Sequence, residues 1–387
     1  MSPTCGKLRA VQLHRIRIPG AAAASEAPPG EGPTVAGHAL VDQQAREVRY
    51  LRVSLTDRCN LRCTYCMPEE GIDHVARADL LSLEEIVAVV RAFVRWGVER
   101  VRLTGGEPTL RRNLPWLVEQ LSALELAPER RRPGHERLAV AMTSNAERLV
   151  DLAEPLRRAG LAHLNLSLDT LDAERFAQIA RRDRLGPVLA GIDASAAAGF
   201  ARLKINTVAI RGFNDDELGA LCEYAWARGA VPRFIELMPM SAGRLFVPGE
   251  LLPAADIRAL ISEQLSTRLE PVEMEVGEGE RGYGPARLWR ALDRPGQPVV
   301  GVISAMTENF CDSCNRLRIS ATGQLHACLA RDDAGDLRAA LRSDMAGETS
   351  GALEDVVRRV LGAKRDRHDF AVDGGGGPQK AMISIGG

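Results

Sequence analysis

An α/β fold, built as a partial (β/α)6 TIM-like barrel with a C-terminal extension, is predicted by three features of the 387-residue sequence. The first is alternation. Apolar strands at Val48–Ser54, Arg100–Thr104, Leu138–Thr143, His163–Ser167, Leu203–Ala209 and Val231–Leu237 alternate with helical stretches at Leu83–Trp96, Leu114–Leu124, Leu149–Ala159, Val188–Ala198 and Asp215–Arg228. Strand–helix units in series pack as a parallel sheet with helical crossovers. The second feature is what the strands deliver at one end. A cysteine loop follows the first strand, Gly105-Gly106-Glu107-Pro108 the second and Ser144-Asn145 the third. The fourth strand ends in Ser167-Leu168-Asp169, the fifth carries Lys204 and Asn206, and the sixth leads to Glu236-Leu237-Met238. Barrels of this kind place their chemistry at the carboxyl ends of the strands. The third feature is that the alternation stops after Leu237, where a region with its own cysteine pattern begins.

Taken in order, residues 1–47 read as a flexible N-terminal extension, 48–240 as the barrel and 241–387 as a C-terminal region. Met1 to Ser25 has no acid and carries Lys7, Arg9, Arg15 and Arg17, while Ala21 to Gly32 is a linker rich in Ala, Pro and Gly. An acid-poor, basic start also fits a mitochondrial transit peptide, and Val11 to Ile18 fits a short strand equally well. Ser82 with Glu85 three residues later forms a capping box at the first helix. Beyond the barrel, Leu251–Leu265 reads as a helix, Glu273–Gly284 as an acidic glycine-rich loop and Val299–Ser304 as a strand. Leu317–Ser320 and Gln324–Leu329 read as a hairpin around Ala321-Thr322-Gly323. The Gly374–Gly377 run reads as a hinge before the apolar tail Met382-Ile383-Ser384-Ile385, which precedes Gly386 and Gly387.

A net charge of −1 gives no whole-chain case for nucleic acid or a membrane surface, and no apolar run reaches the length of a membrane span. Six of the eight cysteines fall into two triplets, which is metal-site spacing rather than a secreted disulfide framework. With no signal-peptide h-region, this points to a reducing compartment, read as the cytoplasm. Cys222 sits in a helical pattern as a small buried hydrophobe. Cys59, Cys63 and Cys66 can hold three irons of a [4Fe–4S] cube whose full set is four cysteines, leaving one iron open for chemistry. A zinc knuckle is the alternative, but zinc prefers paired cysteines with a further His or Cys. The second triplet, Cys311, Cys314 and Cys328, leaves the choice open: with His326 nearby, a Cys3His zinc site fits as well. Arg316 and Arg318 share one strand face beside it, and arginine is the residue for bidentate phosphate recognition. Arg52, Arg100, Arg102, Lys204 and Arg233 stand on other strands, and cations facing a dry interior are costly unless an anion meets them.

The Cys59–Cys66 spacing with Tyr65 before the third cysteine resembles the radical S-adenosylmethionine (SAM) enzymes. Together with Gly105–Pro108, Phe310–Arg318, Cys328, Gly282-Tyr283-Gly284-Pro285-Ala286 and Gly386-Gly387, the chain from Val48 onward resembles the GTP 3′,8-cyclases of molybdenum cofactor biosynthesis. One departure is Thr143-Ser144-Asn145-Ala146, where the family commonly has Thr-Thr-Asn-Gly. The resemblance implies a barrel of the radical SAM type and two [4Fe–4S] clusters, the second in the C-terminal extension. It implies SAM held by Tyr65, Gly106, Ser167 and Met238, with help from Asn206. It implies GTP held by Arg52, Arg102, Thr143, Lys204, Arg316, Leu317 and Arg318, joined by Arg100 and Arg233. The first cluster would cleave SAM to a 5′-deoxyadenosyl radical that takes the ribose 3′ hydrogen, and C3′ would then close onto guanine C8. The second cluster would bind the guanine, and Gly386-Gly387 would enter the active site. Implied partners are an electron donor such as flavodoxin or ferredoxin and a downstream pyranopterin-forming enzyme, with a homodimer as the expected assembly. Two further readings stay open: a peptide-modifying radical SAM enzyme, whose C-terminal cysteines are generally more numerous, and a non-catalytic scaffold with two zinc knuckles.

Overall fold

The computed structural model describes residues 34–36, 39–272, 284–346 and 351–385, and residues 32–387 belong to one compact unit. The chain runs β1 (Thr34–Ala36), β2 (Ala39–Val41), β3 (Tyr50–Ser54), α1 (Leu83–Arg95), β4 (Arg100–Thr104), α2 (Leu114–Ser122), β5 (Ala139–Ser144) and α3 (Leu149–Arg158). It continues with β6 (His163–Ser167), α4 (Ala173–Ala180), α5 (Leu185–Ala197), β7 (Arg202–Ala209), α6 (Leu218–Trp226), β8 (Val231–Glu236) and α7 (Ala254–Gln264). The last third holds β9 (Leu269–Pro271), β10 (Arg287–Ala291), β11 (Val299–Ile303), β12 (Arg316–Ile319), β13 (Gln324–His326), β14 (Gly335–Asp336), α8 (Leu337–Ala346) and α9 (Ala352–Gly362).

Among the described residues β3 to β14 form one 12-stranded sheet in the order β14-β13-β12-β3-β4-β5-β6-β7-β8-β11-β10-β9. Strands β3 to β8 are the six parallel strands the alternation predicts, each joined to the next through helix. The parallel run is longer than six, because β12 lies parallel to β3 at one end and β11 parallel to β8 at the other. The expected boundary at residue 240 therefore falls inside a continuous sheet. Alternation of side chains sorts the two faces. Leu51, Val53, Val101, Leu103, Leu317 and Ile319 enter the hydrophobic core beneath the helices. Their neighbours Arg52, Arg100, Arg102, Arg316 and Arg318 face the opposite side, where the sheet encloses a cavity.

Helix α1 shows the local logic. Ser82 accepts from the Glu85 N–H and Glu85 accepts from the Ser82 N–H, completing the predicted capping box. Its Ile86, Val90, Phe93 and Val94 are buried, as the helical spacing of apolar residues demands. Helix α4 was not expected, because the strand-to-helix link after β6 reads as loop. Its signals are short but present: Asp172 caps it by accepting from the Arg175 N–H, and Phe176, Ile179 and Ala180 form its buried face. The extension also differs from expectation. Leu40 is fully buried and the Val48 N–H donates to its carbonyl at 2.8 Å, so residues 39–47 pack as part of the compact unit rather than as a flexible arm. The basic stretch before residue 34 and the loop at 273–283 lie outside the described residues.

The loop after β5 settles the glycine-to-alanine departure. Ala146 adopts φ +68°, the left-handed conformation that glycine takes without steric cost, and its methyl is buried. Helix α5 meets this loop through Gly191, where an added Cβ would stand 1.9 Å from the Ala146 carbonyl oxygen. Gly191→Ala is expected to destabilise the fold by about 2–3 kcal/mol through overpacking. The check is the urea midpoint of the apoprotein; an unchanged midpoint would show that α5 and the loop can part freely.

Candidate active site

The carboxyl ends of the strands open into one cavity of about 650 Å³, within the range of small-molecule sites. Cys59, Cys63 and Cys66 line it. Their loop is held from two sides. The Arg62 and Thr64 N–H groups donate to the Ala180 and Ile179 carbonyls at the end of α4. On the other side stand Gly105 and Gly106. A Cβ on Gly106 would lie 2.2 Å from the Arg58 carbonyl oxygen, and one on Gly105 2.7 Å from that of Thr56. The Gly106 and Glu107 N–H groups donate to those same two carbonyls. The glycine pair thus lets the β4 loop lie directly on the cysteine loop, a reason for glycine separate from ligand approach.

Glu107 is the hub of this end of the sheet. At 1% exposure its carboxylate accepts from the Thr109 N–H and hydroxyl, the Ser144 hydroxyl at 2.8 Å and the Asn145 N–H at 2.7 Å. Burial pushes its pKa up, with these donors pulling the other way. Asn145, fixed by Glu107, donates its side-chain N–H to Asn60 at 2.8 Å and to the Cys59 sulfur at 3.8 Å. Tyr65, assigned to SAM by resemblance, lines the cavity but donates its hydroxyl to Asp169 at 2.7 Å. Asp169 also accepts from the Val208 N–H, and burial moves its carboxyl up to about 6. Gly106, Ser167 and Met238 line the same cavity as the cysteines, and so does Asn206, whose side-chain oxygen accepts from Arg233 at 2.9 Å.

The donor set fits an iron–sulfur cluster. Burial pushes the Cys59 thiol to about 11 and Cys66 to about 12, and raises Cys63 well above its usual value, with neighbouring thiols and carboxylates adding to the rise. A metal centre supplies the missing positive charge and takes the thiols as thiolates, with release of protons. Among the described residues no group of three or more His, Cys, Asp or Glu side chains is arranged to hold a metal ion, whereas a cubane takes one thiolate per iron.

Away from the cysteines the cavity is cationic. Arg52, Arg100, Arg102, Thr143, Lys204, Arg233, Arg316 and Arg318 all line it. Arg318, Arg52 and Arg102 are cross-strand neighbours in register on β12, β3 and β4. Burial first, then Arg318, Arg102 and Arg316, hold the Arg52 pKa well below its usual value, and burial with Arg316 brings Arg318 down to about 10. Arg102 donates to the Tyr50 hydroxyl and to Thr143 at 3.4 Å. Burial raises the Tyr50 phenol, but Arg102, Arg52 and Arg100 outweigh it and bring it to about 8. The Leu317 side chain is fully buried in the core on the other face of β12, so on this strand its two neighbours present side chains to the cavity. Alternation along a strand requires this.

The second triplet lies just behind that cationic wall. Phe310, Arg316, Arg318 and Leu329 line the main cavity, while Cys328 lines a smaller pocket of about 150 Å³. Burial raises the Cys314 thiol, but Arg316 and Lys364 overcome it and bring it down to about 6. His326, the fourth ligand a zinc site would need, meets both the Asp333 carbonyl at 3.0 Å and Lys380 at 2.9 Å through Nδ1. The tail reaches the first triplet: Met382 and Ile383 line the cavity, and the Ile383 N–H donates to the Cys66 sulfur. Gly386 and Gly387 lie outside the described residues. The glycine run is close-packed rather than a hinge, since a Cβ on Gly376 or Gly377 would stand 1.5 Å from the Asp369 or 1.7 Å from the Pro239 carbonyl oxygen. Sequence reasoning missed the Glu107 hub, Asn165 and Arg202 in the lining, and Lys364 and Arg46 beside the second triplet. The strand period carried a signal for Asn165, two residues before Ser167, and for Arg202, two before Lys204.

Residues 53–225 match the radical SAM superfamily and residues 231–370 match Molybdenum Cofactor Synthesis C. The chain is 44% identical to GTP 3′,8-cyclase 1 of Pseudomonas aeruginosa, over 86% of this chain and 95% of that one. It is 42% identical to GTP 3′,8-cyclase of Ectopseudomonas mendocina, over 86% and 94%. To GTP 3′,8-cyclase of Pelotomaculum thermopropionicum it is 40% identical, over 90% of this chain and 100% of that one. With both domains matched in order and the relatives aligned over nearly their whole length, the chain belongs to the GTP 3′,8-cyclase family of radical SAM enzymes.

Proposed function

We propose that this protein converts GTP to (8S)-3′,8-cyclo-7,8-dihydroguanosine 5′-triphosphate in molybdenum cofactor biosynthesis, using SAM and two [4Fe–4S] clusters. The observation that carries this reading is a single cavity lined by the Cys59–Cys63–Cys66 loop and by the inward arginines of β3, β4 and β12. When bound, the clusters and SAM supply one-electron chemistry that removes a hydrogen from the ribose.

The chain's own residues bind, orient and exclude water. Cys59, Cys63 and Cys66 hold the first cluster, and Gly106, Ser167, Tyr65 and Met238 stand beside it for SAM. Glu107 and Asn145 keep the cysteine loop and the β5 loop in fixed relation, so that SAM and GTP meet at a set distance. Cys311, Cys314 and Cys328 hold the second cluster. Arg52, Arg102, Lys204, Arg316 and Arg318 take the triphosphate, where bidentate guanidinium contacts are strongest, and Thr143 adds a hydroxyl. Ile383 anchors the tail beside the first triplet, and a catalytic part for Gly386 and Gly387, which follow it in the sequence, belongs to the proposal. An electron donor such as flavodoxin or ferredoxin, a downstream pyranopterin-forming enzyme and a reducing, cytoplasmic setting complete the proposal. A homodimer is the proposed assembly. Among the described residues no helix is long and apolar enough to cross a membrane.

The test is anaerobic incubation of reconstituted protein with SAM, GTP and a reductant. The expected product is an isomer of GTP, separated from it by chromatography at unchanged mass, beside 5′-deoxyadenosine. GTP recovered intact while 5′-deoxyadenosine accumulates would sink the cyclase reading. In the same assay, deleting Gly386 and Gly387 is expected to leave 5′-deoxyadenosine formation and remove the cyclic nucleotide. Cyclisation at the full-length rate by the truncated chain would make the tail a frayed end.

Arg316→Ala and Arg318→Ala are each expected to weaken GTP binding by about 1.5–3 kcal/mol, the loss of a charge-assisted phosphate contact, with iron content unchanged. Equilibrium dialysis reads this directly, and wild-type affinity in both variants would reject the phosphate assignment.

A further inference from the structure

Lys364 follows α9 and is 4% exposed. Its ammonium has three donors and no acceptor. They meet the Cys314 sulfur at 3.4 Å, the Arg316 carbonyl at 3.0 Å and the Ala327 carbonyl at 3.1 Å. Of these three partners only the sulfur can carry a full negative charge, and a buried ammonium is costly without one. The contact is an N–H···S hydrogen bond to a side chain that the proposed function makes a cluster ligand. The two carbonyls matter as much. Arg316 opens β12 and Ala327 immediately precedes Cys328, so one ammonium ties the loop of Cys314 to the arm that carries Cys328.

Arg46 grips the same region from the other side. Its guanidinium donates to the Cys311 carbonyl at 2.9 Å, to the Asp366 carbonyl at 2.9 Å and to the Arg365 carbonyl at 2.6 Å, while Asp42 holds its Nε at 2.7 Å. Residues 364–366 are thus fixed between the N-terminal arm and the cysteine hairpin. Carbonyl contacts alone are a scaffold; the N–H···S contact of Lys364 is aimed at a ligand atom.

We propose that Lys364 is a positioning residue of the second cysteine site, holding Cys314 and Cys328 in ligating register and raising the reduction potential of the iron–sulfur cluster they bind. The inference rests on reading Cys311, Cys314 and Cys328 as cluster ligands. Hydrogen bonds to ligand sulfurs and nearby positive charge both favour the reduced, more negative cluster.

The experiment uses the full chain with Cys59, Cys63 and Cys66 changed to Ala, so that iron and sulfide load only the second triplet. Iron per chain, loss of iron to a chelator and the midpoint potential from an EPR-monitored titration are measured for this parent and for its Lys364→Met and Lys364→Gln variants. The parent is expected to hold about four irons. Lys364→Met should lose iron roughly tenfold faster, in line with other outer contacts of metal ligands, and shift the potential to more negative values. Lys364→Gln keeps a neutral donor and should fall between the two, and it remains readable if the methionine variant does not fold. A purely structural lysine would alter iron retention and leave the potential where it was, and that result overturns the proposal. A parent that binds no iron removes the second cluster itself, and this inference with it, which separates the two failures.

Discussion

Positive charge held inside a sheet is the constraint on which the rest of the structure turns. Arg318, Arg52 and Arg102 sit side by side on three neighbouring strands, with Arg316 and Arg100 one layer away flanking Tyr50. Such a row is unfavourable on its own, as the lowered Arg52 and Arg318 pKa values record. The surroundings soften it in part: Tyr50 takes a hydrogen bond from Arg102, and Gly301 leaves room for the stem of Arg233, whose Cγ would lie 2.9 Å from a Cβ there. On the proposed function a nucleotide triphosphate would meet this row, and a ligand that binds only the folded chain also stabilises it.

The other end of the cavity is organised by backbone rather than by charge. Gly105 and Gly106 lie against the Thr56 and Arg58 carbonyls, α4 holds the far side of the cysteine loop, and Glu107 with Asn145 links it to the β5 loop. Three consecutive strand ends are thereby locked together before any cofactor enters. A cluster that passes electrons over short distances benefits from a loop with so few ways to move.

Much of this was legible because period and spacing are local properties. The six parallel strands, the capping box at Ser82, the β12–β13 hairpin and the inward direction of Arg316 and Arg318 all follow from patterns within a few residues. What stayed hidden depends on partners far away in the chain. Nothing in Val299–Ile303 or Arg316–Ile319 says that these strands extend the barrel sheet at its two ends. The place of Lys364 shows only once the carbonyls around it are known, and Arg46 reads as part of a loose arm. The Gly374–Gly377 run reads as a hinge because freedom and close approach demand the same residue, and only the neighbours at Asp369 and Pro239 tell them apart. The strand period also turns the Leu317 side chain to the core between two cavity-facing arginines.

The pairing of β12 with β3 also sets an order of events during synthesis. Strand β3 is the first of the barrel to leave the ribosome, yet the neighbour that covers its outer edge is β12, translated near the end of the chain. At ~5–20 residues per second the interval is on the order of tens of seconds. Through that time β3 presents an unpaired edge, the kind of surface that recruits strands from other chains. The Cys59–Cys66 loop emerges directly behind it, on a barrel still open along one side. The exposure of that edge ends when β12 docks, and slow elongation lengthens it.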